Sequence, residues 1–453
     1  MDAILGGLRD SLRRGWDAAV TGGGRLDSVG VDSWGVDYGL LGPDGRLLEE
    51  PVCYRDGRTA GVMQAVFARV PRDEIYARTG IQFLPLNTLY QLFAHARDGF
   101  PAGARRLLLI PDLCHHFLCG SQVSEATNAS TTQLLHAGTG AWDEELLGRL
   151  GLPRELMPVV AEPGADLGRL TPELRADLGV GALRVLAPAT HDTASAVAGT
   201  PLEPGWAYVS SGTWSLVGVE LHQPVLTGAA CAASFTNERG LAGTVRFLKN
   251  VMGLWILESC RREWEAEAPG FDLDGLLAGV AGSDAFPGFV FPDDPRFFNP
   301  ASMTAEVKAA LAESGQAAPD GPMGLAKVVL DSLALRYASV LDTIEALTGH
   351  PVPGIHVVGG GSQNDYLNQA TADAAGRPVR AGPAEATAAG NLVAQALACG
   401  ELASLEDGRR RVARTVPPRS FTPRRARAWE QARRRYRGIE AHFEGRAAGS
   451  DAG

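Results

Sequence analysis

Residues 185–218, VLAPATHDTASAVAGTPLEPGWAYVSSGTWSLVG, constrain this chain more than any other stretch. The apolar run at 185–186 reads as a strand, 188–192 as a loop, and the small residues of 193–198 as a helix. A Pro/Gly-rich crossing at 201–205 leads to a second strand at 206–210 and a polar turn, Ser211-Gly212-Thr213. Alternating αβ folds place reacting groups between the end of a strand and the start of a helix, and Asp192 occupies that place. Gly212 and Thr213 make a tight turn whose backbone N–H groups suit a phosphate. An Asp at a helix start also serves as a plain N-cap. The crowding of His191, Asp192 and Thr193, with a second polar turn close behind, favours a site.

A chain of 453 residues exceeds what one core usually supports, so two domains are expected. With 45% hydrophobic and 21% charged residues it is an ordinary globular composition. A net charge of −10 argues against nucleic-acid binding and leaves a small-molecule substrate, which if anionic needs local N–H or basic groups. The six cysteines are dispersed, which favours reduced thiols in a cytoplasmic enzyme over a disulfide framework. The first residues carry charges and no apolar core of a signal peptide, and no run reaches the ~20 apolar residues of a membrane span, so no membrane partner is expected.

Leu5, Leu8, Leu12 and Trp16 predict an amphipathic helix over 2–20. A strand is expected over 28–35, running into Asp32-Ser33-Trp34-Gly35-Val36-Asp37. An indole between carboxylates suits a sugar, with an apolar face for C–H groups and acceptors for hydroxyls; a hairpin rim reads the same way. Gln82, Asn87 and Gln91 fit either site lining or solvated loops. Cys114, His115, His116 and Cys119 are zinc-ligand types without a matching second pair, so no metal site is assigned. Residues 125–134 read as a polar buried turn beside the site and 150–184 as surface loops and hairpins. Asn250 reads as a cap before a buried helix at 251–257, 289–299 as a lid or packing loop, and 322–348 as a long amphipathic helix ended by Gly349. A strand at 355–358, then Gly359-Gly360-Gly361, Ser362-Gln363-Asn364 and a helix through Ala375, is a nucleotide-binding arrangement. Gly390 permits close helix packing, and the Arg-rich tail 409–437 reads as a solvated helix.

HDTASAV with YVSSGTWSLVG, VDSWGVDYGLLGPDG, YRDGRT, TGIQFLPLNTLYQL and GGGSQNDYLNQATADAAGRPV together resemble the FGGY carbohydrate kinases, most closely the rhamnulokinases among them. The resemblance extends over essentially the whole chain. It implies a two-domain α/β actin-like ATPase (ribonuclease H-like) fold with a central cleft, residues 1–199 binding sugar and 200–453 binding nucleotide. It implies ATP-dependent phosphorylation of L-rhamnulose at O1, with Mg2+ bridging the phosphates. Asp192 is then the catalytic base; Gly35, His191, Thr193 and Asn250, with the Trp34 indole, hold the sugar; and Thr213, Glu258 and Gly360 hold the nucleotide. Glu258 stands where the family usually has glutamine, which adds charge near ATP. The family opens on a D-x-G-x-S hairpin that holds the ATP phosphates, and no such segment precedes the first helix here, so a first domain truncated at its N-terminus is expected. Because phosphoryl transfer rests on positioning and charge stabilisation, an impaired remnant that binds sugar or nucleotide stays open. So does a kinase for another ketose or a polyol.

Overall fold

The computed structural model describes residues 1–268, 270–283 and 286–450. The chain forms two compact α/β units, unit 1 from Met1–Thr200, Glu220–Leu248 and Ala386–Val412, unit 2 from Pro201–Val219, Lys249–Glu385 and Ala413–Gly453. After its first crossing at Thr200, the chain therefore returns to unit 1 twice.

In unit 1 the helix Asp2–Thr21 turns its Leu8, Leu12 and Trp16 stripe onto Leu170, Leu174, Leu178 and Val185. The strand expected over 28–35 is only Ser28–Val29, parallel to Arg184–Leu186. Just beyond it the backbone packs closely: a Cβ at Gly30 would lie 2.9 Å from the Leu186 carbonyl oxygen. The stretch expected to be surface loops instead carries the helix Pro172–Leu178, whose leucines are core residues. A second core gathers Tyr38, Leu89, Phe93, Leu107 and Leu109 around the antiparallel pair Tyr38–Leu41 and Arg106–Leu109. The short helix Asp192–Ala198 lies against Ala386–Ala398 at backbone contact. A Cβ on Gly390 would fall 1.7 Å from the Ser195 oxygen, and one on Gly199 would fall 2.2 Å from that of Ala386.

Unit 2 is built on a sheet in which Ile355–Val358 lies between Ala207–Ser211 and Val379–Ala381, parallel to both, with Arg419–Phe421 antiparallel at one end. The helix Gly321–Thr348 is buried along most of its length and ends at Gly349, which has a φ of 72°. Three expectations are corrected here. Residues 251–257 are not one helix: Val245–Met252 is a strand and the helix starts at Trp255, so Asn250 lies within a strand and caps nothing. The apolar residues there satisfy a strand as well as a helix, and Gly253 makes the break between them. The tail is not a solvated helix but a helix Leu405–Thr415, a strand and a helix Ala426–Ser450. Trp429, Tyr436 and Phe443, seven residues apart, are buried against Phe286, Phe289 and Phe291. The 289–299 stretch, with Phe289 and Phe297 fully buried, is a packing loop. No helix among the described residues is long and apolar enough to cross a membrane.

Candidate active site

In unit 1 the His191-Asp192-Thr193 triplet opens the helix Asp192–Ala198, and its backbone is held from several sides. The Asp192 N–H donates to the Ser33 carbonyl at 2.9 Å and the Ser33 N–H to that of Thr190 at 2.9 Å, a single parallel bridge between two loops. Thr387 Oγ1 donates to the Asp192 carbonyl at 3.3 Å. Behind the triplet, the fully buried Glu125 accepts from the Thr190 N–H at 2.9 Å and its hydroxyl at 2.7 Å, while also capping the turn of helix at Ala126–Ala129. Burial raises the Glu125 carboxyl, and hydrogen bonds from Thr127 and Thr190 work against that rise. The Asp192 carboxylate itself stays 45% exposed, taking one hydrogen bond from Thr193 Oγ1 at 3.1 Å, with His191 Nε2 at 3.6 Å. A rigid backbone under an accessible carboxylate is what a general base needs.

Trp34 and Gly35 stand on the loop bridged to His191. The Trp34 indole is exposed and donates to Asp37 Oδ2 at 3.0 Å. Gly35 is buried, and a Cβ there would lie 2.8 Å from Thr131 Oγ1 and 3.3 Å from Asn128 Oδ1. Val36 follows at φ 69°, a strained conformation for a β-branched residue, held by Thr88 Oγ1 donating to its carbonyl at 2.7 Å. Asp32 carries a carboxyl pushed up to about 6, first by burial, with the Asn391 hydrogen bond opposing and the charge of Asp192 adding. Trp34, Gly35, His191, Asp192 and Thr193 thus fall in one unit around one bridged pair of loops.

Unit 2 brings together the residues expected at the phosphates. Thr213 is exposed on the turn between Ala207–Ser211 and Trp214–Leu221, and the 359–361 glycines end the neighbouring parallel strand, so both loops lie at the C-terminal ends of two adjacent parallel strands. The three glycines differ. Gly359, at φ 80°, and Gly361 are needed for packing, since a Cβ would lie 2.8 Å from the Ser211 oxygen and 2.0 Å from its Oγ. A Cβ on Gly360 would meet nothing within 4 Å, so that position is open to a ligand. After a 3-10 turn at Gly360–Gln363, the helix expected beyond Ser362-Gln363-Asn364 runs over Asp365–Ala375, with Asn364 as its cap. Asn250 is half-buried in its strand. Glu258 lies on the helix Trp255–Glu267, its carboxylate at 2.7 Å from Arg261 and 3.0 Å from Arg262, which hold it below the usual carboxylate range.

Other candidates resolve structurally. Gln82, Asn87 and Gln91 are buried rather than solvated, and the Asn87 amide joins the Gln82 carbonyl to Gln133. His116 bonds the carbonyls of Gly45 and Ser121, His115 is buried, and among the described residues no group of three or more His, Cys, Asp and Glu is placed to hold a metal. Sequence reasoning missed Glu125 as a clamp, and it missed Asn128, fully buried beside Gly35 with neither amide atom hydrogen-bonded among the described residues. It also missed the buried pair Glu238 and Arg246 next to His191. The only signal was that polar residues interrupt apolar surroundings at EATNAS and TNERG.

The two halves match known domains. The N-terminal domain of the FGGY family of carbohydrate kinases matches residues 3–199, and the family's C-terminal domain matches 207–399. This chain belongs to the FGGY family of carbohydrate kinases. It is 42% identical over 432 residues to the rhamnulokinase of Bacteroides thetaiotaomicron, covering 95% of this chain and 87% of that one. It is 45% identical over 401 residues to the rhamnulokinase of Pectobacterium carotovorum, covering 88% and 79%. Among solved structures it resembles a Lactobacillus acidophilus gluconate kinase, with a TM-score of 0.79 at 16% identity over 97% of this chain and 89% of that one. It also resembles a Plasmodium falciparum glycerol kinase with ADP, with a TM-score of 0.71 at 14% identity over 91% and 84%. At such identities those structures speak to the fold alone, the two-domain actin-like ATPase fold of the FGGY kinases. The chain is a carbohydrate kinase that uses ATP.

Proposed function

We propose that this FGGY kinase transfers the γ-phosphoryl group of ATP to the O1 hydroxyl of L-rhamnulose, in the breakdown of L-rhamnose. The relatives at 42% and 45% identity over most of the chain support the substrate. The observation that carries the mechanism is the accessible Asp192 carboxylate on a backbone held by Ser33, Thr387 and, through Thr190, Glu125. Asp192 accepts the O1 proton as that oxygen bonds to phosphorus and the bond to the ADP oxygen breaks. Trp34, Gly35, His191, Thr193 and Asn250 hold the ketose, and Thr213, Glu258 and Gly360 the nucleotide. Glu258, already tied to two arginines, suits a contact at the nucleoside end better than one at the phosphates. In function, residues 1–199 are then chiefly the sugar-binding domain and 200–453 the nucleotide-binding domain.

ATP enters as its Mg2+ complex. The cation would supply positive charge against the charge that develops on the transferring phosphoryl group. The six free cysteines fit the cytoplasm, and the net charge of −10 fits small-molecule partners rather than nucleic acid.

A coupled ADP-release assay with L-rhamnulose, set beside other ketoses and polyols, tests the reading. Turnover is expected on L-rhamnulose first. Asp192→Asn is expected to lower kcat by ~10²–10⁴-fold while calorimetry shows sugar affinity changed only a few-fold. Near-normal turnover by that variant would sink the assignment of the base. Preference for another ketose or a polyol would replace the substrate, and a folded wild-type chain that binds sugar without releasing ADP would reduce it to a binding remnant.

A further inference from the structure

The strand pairing that brings Thr236–Arg239 against Val245–Met252 sets Glu238 directly opposite Arg246. Both side chains are buried, Arg246 completely, and its NH2 lies 3.0 Å from Glu238 Oε2. Its Nε donates to the Arg239 carbonyl at 3.1 Å, which fixes the plane of the guanidinium. The same NH2 lies 3.1 Å from Nδ1 of His191. Burial pushes the Glu238 carboxyl up, and the charge of Arg246 opposes that rise most strongly.

Arginine has only N–H donors and stays protonated in proteins. An imidazole nitrogen at hydrogen-bond distance from it must offer a lone pair. Glu238 Oε2 also lies near Nδ1, at 3.4 Å. A proton on Nδ1 aimed at that oxygen would set two N–H groups against each other across the 3.1 Å contact with Arg246. The shorter contact therefore decides the proton's place, on Nε2, which faces the Asp192 carboxylate at 3.6 Å.

We propose that Arg246, anchored by Glu238, is a positioning residue that holds His191 as the neutral Nε2–H tautomer, making it an obligatory hydrogen-bond donor on the side of Asp192. His191 then offers its Nε2–H to a sugar oxygen beside the Asp192 carboxylate, which lies 3.6 Å away, and takes no proton from the reacting hydroxyl. That task is left to Asp192 alone. The sugar contact rests on the function proposed above, whereas the tautomer does not.

The test is a long-range proton–nitrogen correlation spectrum of the full-length wild-type protein, labelled with 15N-histidine, at neutral pH and without sugar. The His191 signals are assigned by their loss in His191→Gln. A pyridine-type shift at Nδ1 and a pyrrole-type shift at Nε2 are expected. A pyrrole-type shift at Nδ1, or an imidazolium with both nitrogens protonated, would overturn the proposal, and this reading does not depend on the Arg246 variants folding. Arg246→Met is expected to abolish the tautomer preference and to raise KM for the ketose by ~10-fold with KM for ATP unchanged. Arg246→Lys, which keeps an obligatory donor, is expected to restore the Nε2–H signature. An Arg246→Met protein that folds with the wild-type tautomer would show a merely structural arginine and sink the idea. Absence of ketose turnover, with the Nε2–H tautomer present, would overturn the substrate and leave this inference standing.

Discussion

Asp112, next to the Glu125 clamp, shows how much of this site's support is buried charge held in check. It accepts the Glu125 N–H at 3.2 Å, a contact that acts against the rise, and is pushed up to about 8, by burial first and then by the charge of Glu125. Folded, Asp112 keeps a proton that the unfolded chain releases near 3.8. The native state therefore binds more protons, and stability declines as pH rises from about 4 to about 8. Asp112→Asn supplies the same neutral shape at every pH. The wild-type Tm is expected to fall between pH 5 and pH 8 by at least about 2 °C more than that of the variant, as read by scanning calorimetry. Parallel curves would mean that Asp112 does not keep its proton. Residue types alone predicted a polar turn at 125–134, but not that its Glu reaches back to the residue before His191. That contact joins positions 65 apart in the chain and has no local signature.

The pairing of Asp192–Ala198 with Ala386–Ala398 carries the base on a helix whose own length is too short to be stable alone. Its rigidity comes from backbone contact at Gly199 and Gly390. Gly390→Ala forces the helices apart and is expected to cost about 1–3 kcal/mol, with kcat reduced because Asp192 moves with its helix. Gly360→Ala is the matched control at an open position, where a Cβ meets nothing within 4 Å. It should leave the Tm unchanged and raise KM for ATP. Equal loss of stability in the two variants, by thermal unfolding, would contradict this division of roles. The EATAAGN and GGGSQN patterns made both glycines visible in sequence, while which glycine packs and which stays open needed the neighbours' coordinates.

On the scale of the molecule, the C-terminal helix Ala426–Ser450 belongs to the body of unit 2. Beyond its aromatic contacts, Arg336, itself buried, pairs with Asp293 at 2.6 Å and with Glu440 of that helix. Glu440→Ala leaves Asp293 in place, so its cost is expected at about 2–3 kcal/mol, below the 3–5 of a fully orphaned buried charge. Urea unfolding followed by tryptophan emission measures it; a midpoint within error of wild type would mean the helix docks by its aromatics alone. The Arg-rich composition of this tail hid the docking. Trp429, Tyr436 and Phe443 are outnumbered by arginines on the exposed side, and only burial shows which stripe dominates.

What the sequence by itself determined are the local strand–turn–helix units around Asp192 and Gly360, the long helix ended by Gly349, and membership of a kinase family carried by short motifs. These depend on turn chemistry, periodicity and glycine placement within a few residues of each other. Tertiary structure alone decided that residues 245–252 extend as a strand, that residues 220–248 and 386–412 return to unit 1, and that Glu125, Glu238 and Arg246 converge behind the triplet. The scattered apolar residues of 245–252 satisfy helix and strand equally until the segment has a partner to pair with. A buried charge is tolerated only once distant segments have closed around it with opposite charges and hydrogen bonds.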